Sequence, residues 1–310
     1  MKLYKPKFWT VNKITALSIV IWPLSLIYKF FFKLNNLFKN KKKFSIPSIC
    51  VGNIYLGGTG KTPLAIRLFQ IFKNEKKPII IKKDYKDQID EINLIKKYAQ
   101  LITCKNRQTG ISEAIKKNFN LAILDDGFQD ANIEAKINII CFNLKQKIGN
   151  GLILPAGPLR QSLEALRKSD LVLINGKKDL EFEQILTKHN QKIHIFYFKY
   201  ILNKPAEYLN KKLIAFAGIG NPENFFDLLK LNGLNIVKEI SFPDHHKFSN
   251  NDLNNLLNLE KTYNAKLVTT EKDYLRINSI ERRKFGVIPI KIVIDNEENL
   301  AKILRNLINK

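Results

Sequence analysis

The sequence predicts an α/β fold: a parallel sheet covered by helices, a second and smaller α/β unit after it, and an apolar helix in front. Three observations predict it. Short apolar runs alternate with amphipathic helical stretches along most of the chain, the pattern of a parallel sheet with both faces covered. A glycine-rich loop, Gly57-Gly58-Thr59-Gly60-Lys61-Thr62, stands between one such run and one such helix. The chain's 310 residues, 45% of them hydrophobic, suffice for two cores.

The first element is "ITALSIVIWPLSLIYKFFF", Ile14 to Phe32, whose only clearly polar members are Ser, Thr and one Lys. It approaches the roughly 20 residues that cross a bilayer. Lys5, Lys7 and Lys13 precede it; Lys33, Lys39, Lys41, Lys42 and Lys43 follow it. It is too long for a signal-peptide core, and no small-residue cleavage site follows. Three readings stand. A single span would put its heavier basic flank, and the body of the protein, on the cytoplasmic side; Trp22 and Pro23, midway along, disfavour a straight span. A helix in the interface would set its lysines on acidic head groups. A helix buried in the core is the third.

Ile46 to Val51 is a short apolar run bounded by Pro and Gly, read as a buried strand. The glycine-rich loop follows, then a helix with Leu64, Ala65, Leu68, Phe69 and Phe72 at helical spacing. Further strands are expected at Pro78 to Lys83, Leu121 to Asp126, Ile137 to Asn143 and Asp170 to Asn175, with "DEINLIKKYA" helical. The pattern loosens across residues 198–212. A second α/β unit then runs from "LIAFAGIGNPENFFDLL" through "LNIVKEISF", "AKLVTTEKD" and "VIPIKIVI" to a helix from about Glu297. These elements divide the chain into an N-terminal helix with a basic linker (1–44), a sheet domain around the loop (45–205) and a second α/β domain (206–310).

The formal net charge is +24. It favours anionic partners: nucleic acid, phospholipid head groups or phosphorylated substrates. Enrichment in Lys, Asn and Ile throughout accounts for part of it. Nucleic-acid recognition would need a basic patch interleaved with aromatics, or a known fold motif; neither is evident, so no nucleic-acid partner is expected. Cys50, Cys104 and Cys141 form no C-x-x-C pair, which disfavours a disulfide framework or a zinc site. Cys50 and Cys141, in apolar runs, read as buried thiols in a reducing compartment.

The loop nearly spells G-x-x-x-x-G-K-[ST], with Tyr55 where the first glycine should stand. Such a loop aims successive backbone N–H groups at phosphate oxygens. Gly57, Gly58 and Gly60 allow close approach, with Thr59 between them. Lys61 reaches the phosphates, and Thr62 supplies a hydroxyl for Mg²⁺. Gly52 is expected to relax the entry that Tyr55 occupies. Strand, loop and helix thus make the sheet P-loop NTPase-like. Asp125 and Asp126 end a strand where such proteins place the carboxylate that holds Mg²⁺ or its waters, so Thr62, Asp125 and Asp126 are the candidate metal ligands. A GTPase would need Asn-Lys-x-Asp after a strand; Asn175-Gly176-Lys177-Lys178-Asp179 has a glycine inserted. A membrane-associated P-loop switch, ATPase or GTPase, is the alternative function.

In register with these come "PKFW" and "WPLSLIY" near the start, "DDGFQ" (Asp125 to Gln129), "GNGLILPAGPLR" (Gly149 to Arg160), "AGIGNPENFF" (Ala217 to Phe226), "FPDHH" (Phe242 to His246) and "TEKD" (Thr270 to Asp273). In this order the chain resembles the tetraacyldisaccharide 4′-kinase family of lipid A synthesis. The resemblance implies transfer of the ATP γ-phosphate to the 4′-hydroxyl of a tetraacyldisaccharide 1-phosphate, with ATP and Mg²⁺ as cofactors. It implies Lys61 and Asp126 as catalytic groups, Asp90 as the base, and His245 as its partner from the second domain. The site would then lie between domains whose closure assembles it. Tyr85, Gln129 and Arg160 become substrate contacts. The implied partners are the lipid disaccharide and an acidic membrane surface, on the cytoplasmic face of the inner membrane, with no obligate protein partner. Without the resemblance, Asp90 reads as an acid at a helix start, and His245 with His246 as an incomplete metal pair. Three places depart from the family pattern. Lys82-Lys83-Asp84-Tyr85-Lys86 stands for Ser-Arg-Gly-Tyr-Gly, Asp130 for a histidine, and Gln161 for an acid.

Overall fold

The computed structural model describes residues 6–37, 39, 41–85, 88–203 and 205–310; Lys5 and Lys86, named above, lie outside them. The N-terminal elements are α1 (Lys7–Thr10) and α2 (Ala16–Leu37). There follow β1 (Ser48–Gly52), α3 (Lys61–Phe72), β2 (Pro78–Lys83), α4 (Ile89–Tyr98), β3 (Leu101–Cys104), α5 (Arg107–Lys116), β4 (Leu121–Asp125), β5 (Ile137–Asn143), β6 (Leu171–Asn175), α6 (Leu180–Thr187) and β7 (His194–Leu202). The remainder is β8 (Lys212–Ala217), α7 (Pro222–Leu231), β9 (Asn235–Ser241), α8 (Asn250–Tyr263), β10 (Lys266–Thr269), α9 (Glu271–Arg276), β11 (Gly286–Val287), β12 (Ile290–Ile294) and α10 (Glu297–Asn309).

Contacts group the residues into two units that interleave along the chain. The first holds Met1–Lys83, Gln100–Lys199 and Ile294–Lys310; the second holds Asp84–Ala99 and Tyr200–Val293. A linear cut at 205/206 therefore differs at 84–99, whose helix α4 packs on α9, and at the C-terminal helix α10, which contacts β5.

An eight-stranded sheet has the order β12-β7-β6-β5-β1-β4-β2-β3. Its pairings from β3 through β7 are parallel. β1 lies between β4 and β5, with Val51 opposite Asp125 and Gly52 opposite Ile140. Ligands of such sheets bind at the carboxyl ends of strands where the order reverses, and the loop after β1 leaves from that edge. The strands are apolar without alternation because both faces are covered; β1 and β4 are buried at every position. One core cluster joins Cys50, Ile79, Ile81, Ile111 and Leu124. Another joins Ile140, Phe142, Val172, Ile174 and Phe182. Strand β7 runs through the start of the stretch that reads as loose in sequence. Lys199, which interrupts its apolar run, occupies an exposed position.

α10 returns to the first unit along a stripe of Leu300, Ala301, Leu304 and Ile308. Ion pairs Arg67–Glu297 (2.5 Å) and Arg305–Glu75 (2.6 Å) flank it. The second unit has a four-stranded parallel sheet, β11-β10-β8-β9. Phe216 meets Phe242, Phe248 and Phe285 edge-on in its core. Edge strand β9 alternates between exposed and half-buried positions, as a strand covered on one face does.

Helix α2 is not buried as a core helix would be. Ile19, Val20, Trp22, Phe30, Phe31 and Leu37 are all exposed, and its buried residues are Ser18 and Ser25. Those two serines, seven residues apart, share one face. Ser25 Oγ donates to Ile153 O (2.9 Å) and accepts from Ala156 N (3.1 Å). The Asn150 amide donates to Ser18 Oγ (3.2 Å), Phe8 O (3.2 Å) and Ala156 O (2.9 Å). The helix is thus pinned to the 149–160 loop by polar contacts.

Candidate active site

The loop after β1 is shaped by its neighbours. A Cβ on Gly52 would come within 2.2 Å of Phe128 Cβ. That glycine admits the segment after Asp126; it does not relax the loop entry as expected. Tyr55 is buried and outside the left-handed backbone region. It bridges Leu159 in antiparallel fashion, while Leu56 N donates to Pro158 O (2.8 Å) and Arg160 N to Ile54 O (2.7 Å). Backbone rungs from the 149–160 loop thus hold the entrance that a glycine would otherwise turn, and satisfy its polar groups. The Asn53 amide spans the bend, donating to Tyr55 O (2.6 Å) and Gly57 O (3.1 Å). Gly57 (φ 127°) and Gly60 (φ 93°) occupy backbone conformations that favour glycine. Nothing lies within 4 Å of a Cβ built on Gly58. The buried Thr59 hydroxyl has no hydrogen-bond partner among the described residues. Helix α3 begins at Lys61, so its free N–H groups and positive end face this loop.

The carboxylates close round it. Thr62 Oγ1 donates to Asp125 Oδ2 (3.0 Å), and Lys82 Nζ donates to the same oxygen (2.7 Å). Asp125 Oδ1 has no partner among the described residues. Strand β4 ends there. Asp126 takes the left-handed region (φ 55°), which turns it out of the strand. Lys61 Nζ lies 3.6 Å and Arg160 Nη1 3.4 Å from Asp126 Oδ1. Burial pushes the Asp126 carboxyl up, but Lys61, Arg160, Lys82 and Arg107 outweigh it and hold it below the usual carboxylate range. Gln129 Nε2 donates to Asn53 O (2.6 Å), and its Oε1 accepts from Arg160 (3.5 Å). Lys61, Thr62, Asp125, Asp126, Gln129 and Arg160 therefore converge.

Asp90 and His245 meet within the second unit. His245 Nδ1 lies 3.4 Å from Asp90 Oδ1. Arg276 Nη2 donates to Asp90 Oδ2 (2.6 Å), while its Nη1 donates to Asp273 Oδ1 (2.7 Å) and Gly218 O (2.5 Å). Burial pushes Asp90 up, but the His245 hydrogen bond and the charges of Arg276 and Lys272 hold it below the usual range. The bond to Asp90 in turn holds His245 above the ordinary imidazole value, against burial. His246 turns elsewhere, to Asp252 Oδ2 (3.0 Å), stacked on Phe242. No group of three or more His, Cys, Asp or Glu side chains able to hold a metal occurs among the described residues. Tyr85 is exposed in the same unit. Asp179, the last residue of the near-miss guanine motif, caps α6 by accepting from Phe182 N (2.9 Å) and pairs with Lys147 (2.6 Å).

The sequence matches the family model described as LpxK, tetraacyldisaccharide-1-P 4′-kinase, over residues 17–100 and 90–309. The chain belongs to the tetraacyldisaccharide-1-P 4′-kinase family. A tetraacyldisaccharide 4′-kinase of Pelagibacter ubique is 39% identical over 317 aligned positions, spanning all of both chains. One of Rickettsia bellii is 34% identical, over 89% of this chain and 90% of that one. The crystal structure titled "apo" form LpxK from Aquifex aeolicus in complex with ATP superposes with a TM-score of 0.73 at 23% identity. It covers 94% of this chain and 99% of that chain, which supports the fold.

Three residues of this kinase-family chain escape sequence reasoning. Lys82 sits at a strand end, where lysines are ordinarily solvated, yet is only 3% exposed. Arg107 donates to the carbonyls of Asp125 (3.0 Å) and Asp126 (2.8 Å) and pairs with Asp130 (3.2 Å). Asp130, where the family pattern has histidine, thus anchors the arginine that holds the aspartate turn. Arg276 carries one faint signal, its i,i+3 spacing from Asp273. Gln161, the third departure, leaves its buried Oε1 without a partner among the described residues.

Proposed function

We propose that the chain is an ATP-dependent kinase. It transfers the γ-phosphate to the 4′-hydroxyl of a tetraacyldisaccharide 1-phosphate, a step of lipid A biosynthesis. The observation that carries this is the closed cluster of Lys61 and Thr62 on Asp126 and Asp125, in a chain matched end to end by relatives named for that activity.

The α3 N-terminus and the loop N–H groups bind the triphosphate, with Lys61 toward its terminal phosphates. The donors fit Mg²⁺: one hydroxyl, a carboxylate with an open buried oxygen, and a second carboxylate beside it. Mg²⁺ takes such partial protein shells and completes them with phosphate and water. Thr62 and Asp125, with Asp126 close by, would hold it, and when bound it neutralises charge on the transferring phosphoryl group. Lys61 and Arg160 add positive charge from the protein.

Asp90 takes the proton of the 4′-hydroxyl as that oxygen bonds to the γ-phosphorus and the bond to the ADP oxygen breaks. A carboxylate held below its usual range is a weak base. Its proton transfer therefore comes late, once the hydroxyl has acidified by bonding to phosphorus, which suits a loose transition state. His245 balances the charge on Asp90 and orients it.

Helix α2 is long and apolar enough to cross a membrane, and its polar seam faces the 149–160 loop. We place it in the cytoplasmic interface of the inner membrane, its lysines among acidic head groups. There it brings a cytosolic nucleotide site to an acceptor whose acyl chains stay in the bilayer. The test is transfer of labelled phosphate from ATP to the disaccharide acceptor in detergent. Wild type should yield a phosphorylated lipid, and Lys61→Ala and Asp90→Ala almost none. Absence of product with wild type would overturn the assignment.

A further inference from the structure

Asp125, the candidate Mg²⁺ ligand, already carries a cation of its own. It is fully buried, and its Oδ2 accepts from both Thr62 and Lys82. The side-chain ammonium of Lys82 is almost as deeply buried as the carboxylate it meets. The sheet itself sets this contact, because Lys82 and Asp125 are register partners in the parallel β2–β4 pairing. A lysine is almost never fully buried without a partner. This one sits beside the P-loop threonine, where the nucleotide's charge would arrive.

A bare Asp125 carboxylate would repel a metal-free triphosphate and would need a divalent ion to reconcile the two. An ammonium on Asp125 cancels that charge beforehand. It also competes for Oδ2, so Mg²⁺ gains less on entering. We propose that Lys82 is a built-in cation of the phosphate site that sets the coupling between nucleotide and magnesium: it lets ATP bind without a divalent ion and weakens the hold of Asp125 on Mg²⁺. This rests on the reading of the loop as an ATP site.

The readout is equilibrium binding, independent of turnover. Calorimetry on the full chain in detergent gives the Kd of ATP in EDTA and of ATP with excess MgCl₂, for wild type and for Lys82→Met. In wild type the two constants should lie within about tenfold. In Lys82→Met their ratio should grow by at least about tenfold, the low end of what losing one member of a buried charge pair costs in binding, chiefly through weaker metal-free binding. A purely structural lysine would lower both affinities together and leave the ratio unchanged; that result in a variant melting near wild type overturns the proposal. Should Lys82→Met not fold, wild type decides alone, and a metal-free Kd more than about tenfold weaker than the one with MgCl₂ overturns it. Failure of wild type to bind ATP under either condition would remove the ATP site as well, which distinguishes the two failures.

Discussion

Replacing Arg276 by methionine removes a guanidinium shared by two carboxylates and a carbonyl. Asp273 is fully buried, Asp90 is 4% exposed, and the contacts are 2.5–2.7 Å long. Removing one member of a buried ion pair leaves an uncompensated charge and costs about 3–5 kcal/mol. Two carboxylates lose their arginine here, though Asp90 keeps His245 and Asp273 keeps the Thr270 hydroxyl, so we expect a loss of about that size at pH 7, a large part of the roughly 5–15 kcal/mol that holds a domain folded. The pH dependence identifies the cause. Asp90 is held below its ordinary value when folded, so its contribution is present above the unfolded pKa and fades as pH falls through the folded one. Asp273 is raised, chiefly by burial, so its ionisation costs stability as pH rises, and Arg276 limits that cost. Without Arg276 the first contribution shrinks to what His245 and Lys272 supply, and the second cost grows. The gap from wild type is then wide at pH 7, shrinks as pH falls through the raised Asp273 value, and closes only below the folded Asp90 value, under the ordinary aspartate range. The acid limb of the kcat/KM profile also moves to higher pH, because Asp90 has lost its cation. Urea unfolding at pH 7 and pH 4 tests this. A loss under about 1 kcal/mol at pH 7, or an equal loss at pH 4, would show that methionine replaces only packing and would refute the electrostatic account.

Lys61→Ala should cut phosphate transfer by about 10²–10³-fold, the cost of one lost charge-stabilising donor, with ordered secondary structure retained; a rate within threefold of wild type would contradict its role. Gly52→Ala forces a Cβ toward Phe128 and should destabilise by about 1–3 kcal/mol, as overpacking does; a neutral result in denaturant titration would mean Phe128 moves aside freely. Burial pushes the Cys50 thiol up to about 12 and the Cys141 thiol higher still. Neither should react with a thiol reagent at pH 8 until denaturant is added, whereas Cys104 is less buried; two fast-reacting thiols in the native protein would show that the sheet opens locally.

The buried strands were legible because a parallel sheet covered on both faces needs continuous apolar runs, and β1, β4 and β5 have them. Strand β3 spans four residues, too few to register, and the lysine in β7 disguised its run. The meeting of Lys61, Thr62, Asp125 and Asp126 was legible from local order, since loop and strand end each carry their own pattern. Asp90 was legible only through family resemblance. Its partner Arg276 lies 186 positions away, and an acid in the first turn of a helix has an ordinary explanation. Lys82 was illegible because its burial follows from pairing register, a property of two strands together. The need for glycine at position 52 was illegible as well: Phe128, which crowds it, comes from a distant strand end.

The 149–160 loop makes trimming the protein hazardous. The hydroxyls of Ser18 and Ser25 hold one side of it, its backbone clamps Tyr55 on the other, and it ends at the arginine beside Asp126. A version shortened to start at β1, for the sake of handling in water, would strand the Ala156 amide and the Ile153 carbonyl. Its grip on the nucleotide would slacken while most of the sheet stayed intact. Loss of the proposed membrane helix and loss of chemistry would then arrive together, and a dead truncation would say nothing about whether a bilayer is needed.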